Sequence, residues 1–225
     1  MKRACSNQDT NSHENKQMRV TYGLFKTNYL RIKKYLLVLI ALLLIFGCEN
    51  RSFEFVATID LNETYLVDQT GAFNEAGIVT RNEVLDMIDI PETAEITDVN
   101  LESVEVKIVV LESNEAMGVL LSGSVELGSS KPALFNNFPV PLVAVNAPFI
   151  GINSLISEGV AGIRSKIEKY LEGSDTEPFE IHVSGDSSPS AGERIHVQIL
   201  LKIRGTVKYN DCMEVPYFME GGDPC

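Results

Sequence analysis

The chain has 225 residues, with 31 acidic and 19 basic side chains, three His, four Cys, no Trp and a formal net charge of −12. That length allows one or two domains. Hydrophobic residues at 44% and charged residues at 22% exclude a wholly disordered chain. The charge is divided unevenly: residues 1–47 hold eight basic and two acidic groups, leaving 11 basic and 29 acidic in 48–225, a net of −18. A body of that sign repels phosphate backbones, which argues against a nucleic-acid partner. It repels anionic headgroups as well, so any membrane association needs something other than basic patches.

From the N-terminus, residues 1–30 form a polar lead, and Met18 is a plausible alternative start that gives a more ordinary leader. Arg31, Lys33 and Lys34 then make a positive flank, and Leu36 to Phe46 is an unbroken run of eleven apolar residues. As a helix that run spans about 16 Å, half of a hydrocarbon core. It is short for a transmembrane helix and suited to the apolar region of a signal peptide. An uncleaved membrane anchor is the alternative.

Ile45-Phe46-Gly47-Cys48 resembles the lipobox of bacterial lipoproteins, over residues 31–48 only. The small residue before the Cys and the aliphatic residue three before it fit; Phe46 is bulkier than usual. The resemblance implies cleavage between Gly47 and Cys48 and a lipid on Cys48, with the protein held to a membrane of the bacterial cell envelope. Each buried CH₂ contributes about 0.8 kcal/mol, so two or three acyl chains anchor stably without basic residues. Residues 1–47 are then leader and signal peptide, 48–52 a lipidated tether, 53–211 a domain and 212–225 a C-terminal loop. Cys212 and Cys225 remain as an even pair in an oxidising compartment and are expected to form a disulfide. Closing that loop would contribute on the order of 3 kcal/mol. Two free thiols are the alternative; no His lies near either Cys for a metal site.

Along the body, Phe53, Phe55, Ala57, Ile59 and Leu61 alternate with polar residues as a half-buried strand does. Thr80-Arg-Asn-Glu83 is a capping-box pattern opening a short helix, over about 81–89, before Pro91. Ile96 to Leu111 is a long strand in which Val99 and Leu101 have one parity and Val104, Val106, Ile108 and Val110 the other. That phase change predicts a bulge near Glu102-Ser103 or a crossing between sheets. Met117 to Leu127 alternates again, and the polar Glu112–Glu115 stretch suggests a hairpin between the two runs. Ile156, Val160, Ile163, Ile167 and Tyr170/Leu171 define one apolar helix face over about 153–171, with Asn153 as cap and Gly173 as stop. Phe179, Ile181 and Val183 form a strand, Gly185–Gly192 a turn by composition, and Ile195–Tyr209 a long alternating strand. The expected fold is mainly β: an antiparallel β-sandwich, strands in hairpin order, with one substantial and one short helix.

Catalytic signatures are lacking. No Gly-x-Ser-x-Gly, phosphate-cradling loop or His-Glu-x-x-His occurs. His182 and His196 share the polar parity of their strands and read as solvated. Were those strands paired, the two could hold a metal, but no carboxylate or Cys is read at ligand spacing on them. The Asp60–Glu63 stretch lacks the Gly and terminal Glu of a calcium loop. Asp86, Asp89, Glu92, Glu95 and Asp98 read as a solvated acidic rim, with a weak Ca²⁺ site as the sharper alternative. No catalytic residue, metal or cofactor is assigned. Residues 132–157 hold no charged side chain in 26 positions. They read as a loop and edge strand under the helix, or as an apolar lid in which Phe138, Leu142, Val143, Phe149 and Ile150 contact a ligand or partner. The function expected is a non-catalytic binding or structural module anchored in the envelope. An apolar-ligand carrier or sensor and a carboxylate-dependent hydrolase are the alternatives. Neither the ligand nor an envelope protein partner is identified.

Overall fold

The computed structural model describes residues 48–142, 147–216, 219 and 221–225. The leader, the apolar run and the positions of Met18 and Val143 lie outside the described residues. Alternation carries the first strand well beyond Leu61. Ile59, Leu61, Tyr65 and Val67 are buried while Asp60, Thr64, Leu66 and Asp68 face out, giving β1 (Cys48–Thr70). Gly71, at φ 86°, makes the sharp turn into β2 (Phe73–Val79). Thr80 then caps α1 (Arg81–Met87) with the expected reciprocal box: Glu83 N–H donates to the Thr80 hydroxyl, and the Glu83 carboxylate accepts from Thr80 N–H at 2.7 Å.

The remaining elements are β3 (Glu95–Val110), β4 (Gly118–Glu126), β5 (Ala133–Pro141), β6 (Ile150–Gly151), α2 (Ser157–Leu171), β7 (Phe179–Ser188), β8 (Arg194–Pro216) and β9 (Asp223–Pro224). One sheet has the order β6-β3-β8-β1-β9, the other β2-β7-β4-β5. The pairings that fix the second sheet, β2–β7, β7–β4 and β4–β5, are all antiparallel. The fold is the expected antiparallel β-sandwich with two helices.

The connections differ from the expectation. β3 and β4 are not a hairpin: β3 pairs with β8 from Glu95 to Val110, and β4 pairs with β7 and β5. Residues 112–115 therefore pass from one sheet to the other. The same holds for β7 and β8, so His182 and His196 sit in different sheets and cannot share a metal. Residues 185–188, read as turn, are the end of β7. Alternation reports which face of a strand is buried and is silent on its neighbour.

The bulge is where the phase change places it. Leu101 pairs with Gly205 and Ser103 with Arg204, so Glu102 is the extra residue, and Val99 and Val104 both reach the core despite opposite parity. A Cβ on Gly205 would lie 2.6 Å from the Asn100 carbonyl oxygen, so the backbones close up there in the absence of a side chain.

α2 turns Gly159, Ile163, Ile167 and Tyr170 inward and packs on β3 of one sheet and on β4 and β5 of the other. Its start is later than Asn153. Ile152 N–H donates to Val104 O and Ile156 N–H to Leu134 O, which pins the approach to both sheets before the helix begins at Ser157, without a side-chain cap. Gly173, at φ 71°, follows its end.

The chain divides into two compact units. Residues 54–210 hold the sandwich and helices. The described part of the other comprises 48–53 and residues of 211–225, in which the stretch read as a tether is already strand. There β9 pairs with β1 at Arg51 and Ser52, and Cys225 N–H donates to Asn50 O. Cys212 and Cys225 form the expected disulfide, with their Cα atoms 6.3 Å apart. No helix among the described residues is long and apolar enough to cross a membrane.

Candidate functional site

The outward face of the second sheet carries the one group of His, Cys and carboxylate side chains, among the described residues, that converges as metal ligands do: Glu126, Glu180 and His182. Two local rules build it. Glu180 and His182 are two apart on β7, which places them on one face. The β4–β7 register sets Glu126 directly opposite Glu180 and Ser124 opposite His182. β7 is a central strand, flanked by β2 on its other side, where Ala76 and Ile78 oppose His182 and Glu180.

His182 Nε2 lies 3.1 Å from a Glu126 oxygen and 3.2 Å from a Glu180 oxygen. The imidazole side chain is 10% exposed, while both carboxylates are 42% exposed. The two carboxylate oxygens are close to Nε2, yet neither ring nitrogen completes a hydrogen bond. Lys131 reaches the same Glu126 oxygen at 3.2 Å. The solvated His182 expected from strand parity is thus corrected to a buried one, and Glu180 is the carboxylate at ligand spacing that the strand pattern passed over. His196 is half-buried and engaged elsewhere, its Nδ1 2.5 Å from Glu112 O.

Among the described residues the other acidic groups form no such cluster. Asp86, Asp89, Glu92 and Glu95 are exposed, and Asp98 pairs with Arg164 at 2.7 Å. Glu63 is a partly buried carboxylate. Burial, and then the Glu83 charge, push its pKa up from the ordinary range. It lies over Gly77, where a Cβ would fall 2.4 Å from its carboxylate oxygen. Glu83 is already committed to the Thr80 cap, which leaves Glu63 without a free carboxylate partner.

The apolar contact residues divide between two sheets. Phe138, on edge strand β5 opposite Leu121, and Leu142 are half-buried against the core. Ile150 pairs with Val106 on β6 and also packs on the core, while Phe149 is 41% exposed with Lys107 Nζ 6.0 Å from its ring centre. Two surface grooves, of about 590 Å³ and 450 Å³, are lined by other residues. The larger runs along Leu127, Gly128, Lys166, Lys169 and Pro178, the smaller between α1 and the end of α2. Cys48, exposed at the start of β1, is disulfide-bonded.

No protein-family model matches the chain, and no curated protein does. Among solved structures it is similar to one of infectious bursal disease virus, Gx strain, at 11% identity and a TM-score of 0.28, covering 77% of this chain and 39% of that one. It is also similar to the decameric BFDV capsid protein, at 9% identity and a TM-score of 0.30, covering 71% of this chain and 98% of that one. The 60-mer of the BFDV capsid protein gives 9% identity and a TM-score of 0.28, over 76% and 98% of the two chains. This chain spans about two-fifths of the bursal virus chain. Scores of this size carry no argument, and the fold class rests on the sheets themselves.

Proposed function

We propose that the chain is a lipid-anchored protein of the bacterial cell envelope, a binding or structural β-sandwich module moored through Cys48. The observation that carries this reading is the segment Leu36–Cys48: an eleven-residue apolar run behind a basic flank, ending in a lipobox-like Ile-Phe-Gly-Cys. The Cys212–Cys225 disulfide supports it, because such bonds persist where the surroundings are oxidising. So does the charge asymmetry: a basic leader is removed and a strongly acidic body is kept away from anionic lipid except at its anchor.

Acylation consumes the Cys48 thiol, so lipid and disulfide at this position exclude each other. The reading therefore requires Cys48 to carry a reduced thiol when the thioether forms, since cleavage of the peptide bond ahead of it leaves any disulfide intact. The test is Cys48→Ser in cells fed a labelled fatty acid. The wild-type chain takes up label and shortens by the leader. The variant stays full length and unlabelled. Label on the variant, or an unlabelled and uncleaved wild type, overturns the reading.

A further inference from the structure

We infer that Glu126, Glu180 and His182 form a binding site for a divalent transition-metal ion of the zinc class, held by one imidazole nitrogen and two carboxylates. Three observations converge on it. The first is electrostatic. Two carboxylates directly opposite each other on paired antiparallel strands repel, and such like-charge pairs destabilise a sheet. A cation relieves the pair: Lys131 meets only Glu126, and the His182 imidazole supplies a positive charge only when protonated.

The second is the state of His182. Its side chain is nine-tenths buried, and neither ring nitrogen has a hydrogen-bond partner. A buried polar group left in that condition costs about 1–3 kcal/mol, which a metal–nitrogen bond at Nε2 would offset. The third is shape. Zinc binds nitrogen and oxygen at about 2.0–2.2 Å, so neighbouring ligand atoms in a tetrahedron lie about 3.3–3.5 Å apart. The two Nε2–oxygen separations, 3.1 and 3.2 Å, are close to that edge. The three ligand atoms all lie within 4.8 Å of one another.

The ligand chemistry sets the class. A borderline nitrogen donor with two hard oxygens suits zinc, iron or manganese better than calcium, which takes six to eight oxygens. Three protein ligands leave a fourth position for water or another molecule. The half-exposed carboxylates place that position toward solvent.

The experiment uses the full chain, stripped of metal with a chelator and dialysed against Zn²⁺ alone, with Co²⁺ as a spectroscopic probe. One Zn²⁺ per chain is expected to bind saturably below ~100 µM. Glu180→Gln, Glu126→Gln and His182→Gln should each weaken binding by at least about tenfold. All variants keep every cysteine, so binding at thiols would survive in them. Co²⁺ should give visible bands of a nitrogen–oxygen site without thiolate charge transfer. Lys131→Gln, which removes a competing cation, should bind at least as tightly as wild type. Absence of saturable binding, binding untouched by the three ligand variants, or a thiolate-type Co²⁺ spectrum overturns the inference. Should His182→Gln fail to fold, the two half-exposed glutamate variants carry the test.

Discussion

At Gly159 α2 lies close against the β5 backbone, and replacing it with alanine isolates the cost of that contact. On helix propensity alone the substitution should stabilise by up to about 1 kcal/mol. The structure reverses the sign. The new Cβ would stand 2.4 Å from the Ala133 carbonyl oxygen and 2.7 Å from Leu134 Cα. Both are backbone atoms, so no rotamer change relieves the overlap. Nor can the strand easily withdraw, because Ile156 N–H is bonded to Leu134 O at 2.9 Å beside the contact. Overpacking of this kind costs about 1–3 kcal/mol, and more where the backbone must shift. Against the propensity gain, a net loss of about 1–2 kcal/mol is expected. With a urea slope of about 2 kcal/mol/M, the unfolding midpoint should fall by roughly 0.5–1 M. Gly162→Ala is the control on the same helix. Its Cβ would meet Leu127 Cδ1 at 2.7 Å, the free end of a flexible side chain. Here the change should lie within about 0.5 kcal/mol of zero. Urea titrations followed by far-ultraviolet circular dichroism would measure both. If Gly159→Ala is as stable as wild type, the account of how α2 seats on the sheet is wrong.

The other expectations follow from single groups. The Tyr170 hydroxyl is buried, its pKa pushed up to about 12 by burial first and then by Asp175, and it donates to Glu177 O at 2.5 Å. Tyr170→Phe leaves that carbonyl without its donor and should cost about 1–3 kcal/mol in the same titration; an unchanged midpoint would contradict it. Glu63 has a folded pKa raised above its unfolded value, so its carboxylate weakens the fold at neutral pH and ceases to do so as pH falls through that raised pKa. Glu63→Gln should therefore stabilise at pH 7 and have little effect once the wild-type group is protonated in both states. Asp175 is shifted the other way, held low first by the Lys166 ammonium at 2.7 Å and then by Glu177 N–H. Its contribution is present above the unfolded carboxylate pKa and is lost as pH falls below it, so Asp175→Asn should flatten the acid limb of the stability profile. Intact mass of the non-reduced body should be two hydrogens lighter than after reduction, with the loss mapping to Cys212 and Cys225.

Strand faces were legible because burial imposes a period of two that survives without knowledge of the partner. Ile195–Tyr209 displays it, and the bulge at Glu102 was visible as a break in that period between Val99 and Val104. The capping box at Thr80 was legible because both its halves lie within four residues. Strand neighbours were not. Loop length and polarity at 112–115 suit a hairpin as well as a step between sheets, and what decides is the match of β3 to β8, some hundred residues further on. β2 was missed for a related reason. Its run Phe73–Val79 contains Asn74, Glu75 and Gly77, and its inward positions include a carboxylate and a glycine, so the apolar alternation is diluted.

The candidate metal site shows how that limit propagates to chemistry. Glu180 and His182 are two apart, so their shared face follows from sequence alone; what it lacks is a reason to expect His182 to be buried. On a strand with one wet face, Glu-x-His reads as ordinary solvated surface. The burial comes from the central place of β7 between β2 and β4, and the third ligand comes from a register in which residue 126 stands opposite residue 180. The β4–β7 pairing joins strands separated by a helix and two further strands, and the β2–β7 pairing joins strands separated by two helices and four strands. Had β4 paired with β3, as a hairpin would have it, Glu126 would face another strand altogether and no cluster would form. The register is therefore as necessary to the site as its three side chains. An alteration that slips β4 by one residue would turn Glu126 to the opposite face and abolish metal binding while leaving every ligand in the chain.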